Sequence, residues 1–139
     1  MIKQIKHKTF SRDKSIDELH YGTEKWSAEL DFAAFELPFL RQLIKSYPYK
    51  NTIPNLFENI QLFMKQLDKI EGELPVLIKE IRNHNNQLEG KLECNDVSCD
   101  DFYLDEYNQL SENIFDYLQD YKNLKIEIYS FMRGIIPNP

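Results

Sequence analysis

The sequence is poor in the residues that interrupt helices. Among its 139 residues are only four glycines and six prolines. A fold made of many short strands needs frequent turns, and turns draw heavily on these two residue types. Their scarcity favours a few long helices. The length is that of one domain that can bury a core, so we expect a single domain spanning residues 1–139.

Residues that build catalytic or metal sites are also scarce. Cys94 and Cys99 are the only cysteines. They are too few for a disulfide framework and lack the further ligands of a zinc knuckle. They could close a small loop on oxidation, but we expect plain turn residues in a reducing compartment. The chain has no glycine-rich phosphate loop, no nucleophile elbow and no Ser-His-Asp order. These absences argue against an enzyme.

The charge balance narrows the partners. The formal net charge is −6, whereas nucleic-acid binding needs a basic surface. No apolar run approaches the length of a membrane span, and the first residues lack the apolar segment of a secretory signal. We therefore expect a soluble, cytoplasmic protein that binds neither nucleic acid nor membrane. Residues 1–14 form a basic amino-terminal arm, with five cations against one aspartate.

Three runs of apolar residues recur in alternating steps of three and four. They predict helices near 15–47, 54–92 and 99–135. The third run consists of Tyr107, Leu110, Ile114, Tyr117, Tyr121, Leu124, Ile128, Phe131 and Ile135. Such a seven-residue repeat indicates coiled-coil-like packing, and short connections make neighbouring helices antiparallel. The expected fold is all-α: an elongated, antiparallel, up-down-up three-helix bundle. Pro38 and Pro75 fall inside predicted helices, where we expect kinks rather than breaks, because the register passes through both.

One core position of the second run is polar. The stretch "EIRNHNNQL" puts His84 where an apolar residue is expected. The leading interpretation is a polar residue that fixes the packing register, bonded to Tyr107, Gln109 or a backbone carbonyl. If the first turn is centred between residues 50 and 51, His84 lies level with Asp17.

The alternative for the same histidine is a metal site. His20, His84, Asp17 and Glu80 would meet at one end of the bundle, with Tyr107 or Glu106 as a further member of the set. Imidazole and carboxylate ligands suit zinc, iron or manganese. The Glu-x-x-His pairs of di-metal helical bundles are absent, which weakens this hypothesis.

A second apolar row lies on the first helix. Phe32, Phe35 and Phe39 follow helical spacing, and each stands two residues past a core position, on the face opposite the core. An apolar row on an outer face predicts an interaction surface. A second copy of the chain, forming a homodimer, is the leading candidate to cover it. The other candidates are the arm (with Ile2, Ile5 and Phe10), a foreign protein, or a different arrangement of the helices.

Two segments carry a family resemblance. "HYGTEKWSAELDFAAFELPFL" (His20 to Leu40) and "IRNHNNQL" (Ile81 to Leu88) resemble a group of small, uncharacterised bacterial all-helical proteins. In that group a His…Trp…Glu-Leu-x-Phe…Glu-Leu-x-Phe run opens the first helix and a histidine ends the second. The resemblance implies an all-helical fold and no particular activity. The chain is more weakly similar to hemerythrin-type bundles, which implies a centre with two irons, although most histidines of such a centre are missing here.

The expectation for function is therefore a structural or protein-interaction module that self-associates. The alternative is a hemerythrin-like metal-binding bundle that uses His20, His84 and nearby carboxylates.

Overall fold

The computed structural model describes residues 16–91 and 97–136, leaving out the side chains of 16, 17, 20, 88–91 and 97–100. Three helices account for almost all of this part of the chain: α1 (Ile16–Ser46), α2 (Leu56–Lys91) and α3 (Val97–Ile135). Their bounds lie within two residues of the predicted ones. The arm, Cys94 and the side chain of Cys99 lie outside the described residues.

The side-chain contacts between helices fix their directions. Thr23 and Arg41 of α1 bond to Asn85 and Asp68 of α2, so the two helices are antiparallel. Along α2 and α3, His84 meets Glu106 and Phe63 meets Phe131, which makes this pair antiparallel too. The predicted up-down-up three-helix bundle is confirmed. At about 1.5 Å per residue, the 39 residues of α3 make a rod of roughly 58 Å.

The core follows the predicted heptad seam. The buried cluster that runs along all three helices consists of Leu30, Ala33, Leu37, Leu40, Ile44, Phe63, Leu67, Ile70, Leu74, Leu77, Ile81, Leu110, Ile114, Tyr117, Tyr121, Leu124, Ile128 and Met132. α1 and α2 continue through Pro38 and Pro75, so neither proline breaks its helix. Close to Pro75, the hydroxyl of Tyr117 donates to the backbone carbonyl of Ile70 at 2.7 Å and ties α3 to α2.

The first connection differs from a tight hairpin. It runs from residue 47 to Asn55, whose φ of 54° lies in the left-handed region that asparagine tolerates. Tyr49 in this loop packs on Phe131, with ring centroids 6.5 Å apart, and its hydroxyl donates to Met132 Sδ at 3.3 Å. The loop therefore lies against the carboxyl end of α3. At that end of α3, Met132 is buried and Phe131 is only partly buried. The sequence had predicted Phe131 as the core residue.

This loop also shifts the helix register. A symmetric turn between residues 50 and 51 would place Asn85 level with residue 16. Instead Asn85 accepts a hydrogen bond from Thr23 at 2.8 Å. The predicted register of α1 against α2 is wrong by about seven residues, or two helical turns. His84 consequently lies beside the segment around Thr23, not beside Asp17.

Candidate functional site

His84 is held at the interface of α2 and α3. Its side chain is only 1% exposed, and Nδ1 lies 2.7 Å from Oε1 of Glu106. Because a carboxylate only accepts hydrogen bonds, this contact places a proton on Nδ1. Gln87, with its amide nitrogen facing the same carboxylate, donates to Oε2 at 2.8 Å and to Oε1 at 2.6 Å. Glu106 thus joins two residues that lie almost one turn apart on α2.

The surroundings of His84 are those of a packed core. Its ring lies 5.8 Å from the ring of Tyr107, which in turn lies 4.8 Å from Trp26 on α1. No described residue gives Nε2 a hydrogen-bond partner. The expected partners were Tyr107, Gln109 or a backbone carbonyl. Glu106 takes that role instead, because it lies three residues before Gln109 on the same side of α3.

Tyr107 fits against α1 only because residue 22 is glycine. A Cβ atom at Gly22 would overlap the Tyr107 hydroxyl oxygen and would lie 3.2 Å from its Cζ atom. The tyrosine ring is itself buried. Trp26, Tyr107 and His84 therefore form one stack from α1 to α2, and Gly22 makes the room for it. Burial raises the pKa of Tyr107, and the negative charge of Glu18 raises it further.

Two of the four principal members of the hypothetical metal set, Glu80 and His84, are among the described side chains. Glu80 and His84 line the same groove of about 310 Å³, together with Glu106 and four amide side chains. Among the described side chains, no group of three histidine, cysteine or acidic residues is placed to hold a metal ion. The side chains of Asp17 and His20 lie outside the described residues.

A second polar contact joins α1 and α3. Tyr121 donates to Oε1 of Glu36 at 2.5 Å, and Lys125 lies 3.0 Å from the same oxygen. The ammonium of Lys125 is also 4.7 Å from the centroid of the Tyr121 ring. Burial raises the pKa of Tyr121 above its ordinary range, and the hydrogen bond to Glu36 raises it further. Sequence reasoning missed this contact, since Glu36 lies beside the heptad seam and not on it.

The phenylalanine row faces away from the core. Phe32, Phe35 and Phe39 are 57%, 79% and 58% exposed. The rings of Phe32 and Phe35 lie 6.3 Å apart, so they form one continuous apolar surface. Such exposure fits the predicted outer position and does not fit the alternative in which other helices of the same chain bury the row. We call these three residues the phenylalanine row.

A wider groove follows α1 and α2 near Pro75. It measures about 610 Å³ and has an apolar floor that includes Leu37, Leu74 and Ile78, with Lys79 and Arg82 at one end. A small-molecule site normally adds a few convergent polar groups to such a floor.

None of the described helices is both long enough and apolar enough to cross a membrane. Comparison with protein-family models, with curated proteins and with solved structures gives no match.

Proposed function

We propose that this chain is a structural interaction module that self-associates through the phenylalanine row of α1. The observation that carries the proposal is the exposure of three neighbouring phenylalanines on a helix whose opposite face is fully packed. A folded protein gains about 25 cal/mol for each Å² of apolar surface that it removes from water. A second copy offers each row an apolar surface of matching length.

The size of the surface suits a reversible dimer. A phenylalanine buries about 150–250 Å² when fully covered. Six half-exposed rings, three from each chain, supply on the order of 800 Å² of apolar area. Stable protein interfaces begin at roughly 1,000 Å² in total, so the flanking residues must add the remainder. We therefore expect an equilibrium between monomer and dimer, not a permanent assembly.

Light scattering on the purified full chain tests the proposal. Phe35→Glu places a charge at the centre of the row in both copies, and we expect it to weaken dimerisation at least ~100-fold. The matched control is Phe57→Glu, because Phe57 is also exposed, at 67%, but lies on the first turn of α2. The Phe57→Glu chain should still dimerise. The proposal fails if the unaltered chain is a monomer, or if Phe35→Glu leaves the mass unchanged.

A further inference from the structure

The phenylalanine row is the middle of a longer heptad row on the outer face of α1. Its positions alternate in steps of four and three, as the core positions do, and the residues on it are exposed. In order they are Tyr21, Lys25, Ala28, Phe32, Phe35, Phe39, Gln42 and Ser46. α1 thus carries two seams of the coiled-coil type, one packed inside its own bundle and one facing outward.

The outward seam is symmetric about a point between Phe32 and Phe35. We infer that two copies of α1 pack antiparallel along this seam, with Phe32 opposite the partner's Phe35 and Ala28 opposite the partner's Phe39. This inference rests on the proposed function and adds the orientation and register of the pair. A two-fold axis through the central point brings each outward-seam position of one helix against an outward-seam position of the other, as an isologous interface requires.

Residue sizes match in this register. Ala28 is the small residue of the apolar part of the seam, and it lies opposite the large Phe39 of the partner. Protein interiors pack at high density when large side chains meet small ones. In a parallel pair Ala28 would face Ala28 and Phe39 would face Phe39, which leaves a gap in one layer and crowds another.

Charges point to the same orientation. In the antiparallel register Lys25 faces Gln42, and Glu24 on the flank comes near the partner's Lys45. A parallel pair would place Lys25 against Lys25 and Glu24 near the partner's Glu29. Flanking charges of this kind select the orientation of paired helices. One like-charge pair remains in the antiparallel register, because Glu29 comes near the partner's Glu36. The carboxylate of Glu36 is already bonded to Lys125 in its own chain.

Site-specific crosslinking decides between the orientations. In a chain with Cys94→Ser and Cys99→Ser, cysteine is introduced as Lys25→Cys or as Gln42→Cys, and a short bifunctional thiol reagent is added. At ~1.5 Å per residue, two copies of position 25 lie roughly 26 Å apart in the antiparallel pair, beyond the reach of the reagent. We expect no crosslinked dimer from either chain alone, and a crosslinked heterodimer from their equimolar mixture.

The possible failures are distinguishable. If the cysteine-free chain is a monomer by light scattering, both the proposed function and this inference fail. If it is a dimer and Lys25→Cys crosslinks to itself, the pair is parallel and only the inference fails. A dimer that gives no crosslink in the mixture overturns the inferred register, and Phe35→Glu then decides whether the phenylalanine row is still the interface.

Discussion

Tyr107 of α3 lies directly against the backbone of Gly22 in α1, where a Cβ atom would overlap its hydroxyl oxygen. The contact connects the two helices at the level of His84. Gly22 lies inside α1, in its second turn, where glycine ordinarily costs about 1 kcal/mol relative to alanine. The close approach of the tyrosine explains why the smallest residue is suited to this position.

Gly22→Ala should consequently destabilise the fold in spite of its better helix propensity. Overpacking a core costs about 1–3 kcal/mol, and the better helix propensity of alanine returns about 1 kcal/mol. We therefore expect a net loss of up to about 2 kcal/mol in the free energy of unfolding, measured with urea. The loss should shrink in a Tyr107→Phe background, because the overlapping oxygen is gone. The matched control is Gly72→Ala on α2, where no atom lies within 4 Å of the added Cβ. It should be neutral or slightly stabilising. An equal effect of both alanines would contradict the account.

His84 and Glu106 should respond unequally to substitution. Glu106→Ala leaves a buried imidazole without its acceptor, which costs about 1–3 kcal/mol. His84→Leu removes the polar group and keeps most of the volume, while Glu106 retains Gln87 and is 32% exposed to water. We expect His84→Leu to change stability by less than ~1 kcal/mol. A larger loss from His84→Leu than from Glu106→Ala in urea unfolding would show that the histidine has a further role.

The same histidine variant separates a packing role from a metal ligand. An ion that binds only the folded state stabilises it by an amount that grows with the logarithm of the ion concentration divided by Kd. If His84 were a ligand, added zinc, iron or manganese would raise the Tm of the unaltered chain but not that of His84→Leu. We expect no rise in either chain, measured by calorimetry on protein purified without a metal-affinity tag.

Alkaline pH should weaken the bundle through its buried tyrosines. Burial and the bond to Glu36 raise the pKa of Tyr121, so the unfolded chain releases this proton first, near pH ~10. The stabilisation is complete below that pH and falls as pH rises above it. Tyr121→Phe should reduce the loss of unfolding free energy between about pH 8 and about pH 11. Tyr21→Phe, at an exposed tyrosine, is the matched control. An identical loss in both variants would contradict the assignment.

Charge reversal should test the flanks of the antiparallel seam. Lys45→Glu brings a negative charge near the partner's Glu24, and Glu24→Lys brings a positive charge near the partner's Lys45. Each change should weaken dimerisation a few-fold at low salt, and the two together should restore it, as measured by sedimentation. Surface pairs contribute roughly 0.2–1 kcal/mol and are screened by salt, so the effect should shrink at high ionic strength. Failure of the double variant to recover would argue against the register.

The helices and most of the core were predictable because the apolar period is regular and continues through the two prolines inside helices. His84 was found for the same reason, since a polar residue stands out in a regular seam. Glu106 was expected near His84 only as one of several residues that could meet at that end of the bundle. It was not expected as the hydrogen-bonded partner, because it lies beside the seam of α3. The register of α1 against α2 depends on where a nine-residue loop lies, and Tyr49 carries that loop against α3 through contacts distant in sequence.

Sedimentation equilibrium of the unaltered full chain, over a wide range of concentration, tests the central claim most directly. One chain has a mass of 16.6 kDa. We expect the average mass to rise with concentration from this value towards twice it, and the rise to disappear in Phe35→Glu. A mass that stays at that of one chain at every concentration would contradict self-association through the phenylalanine row.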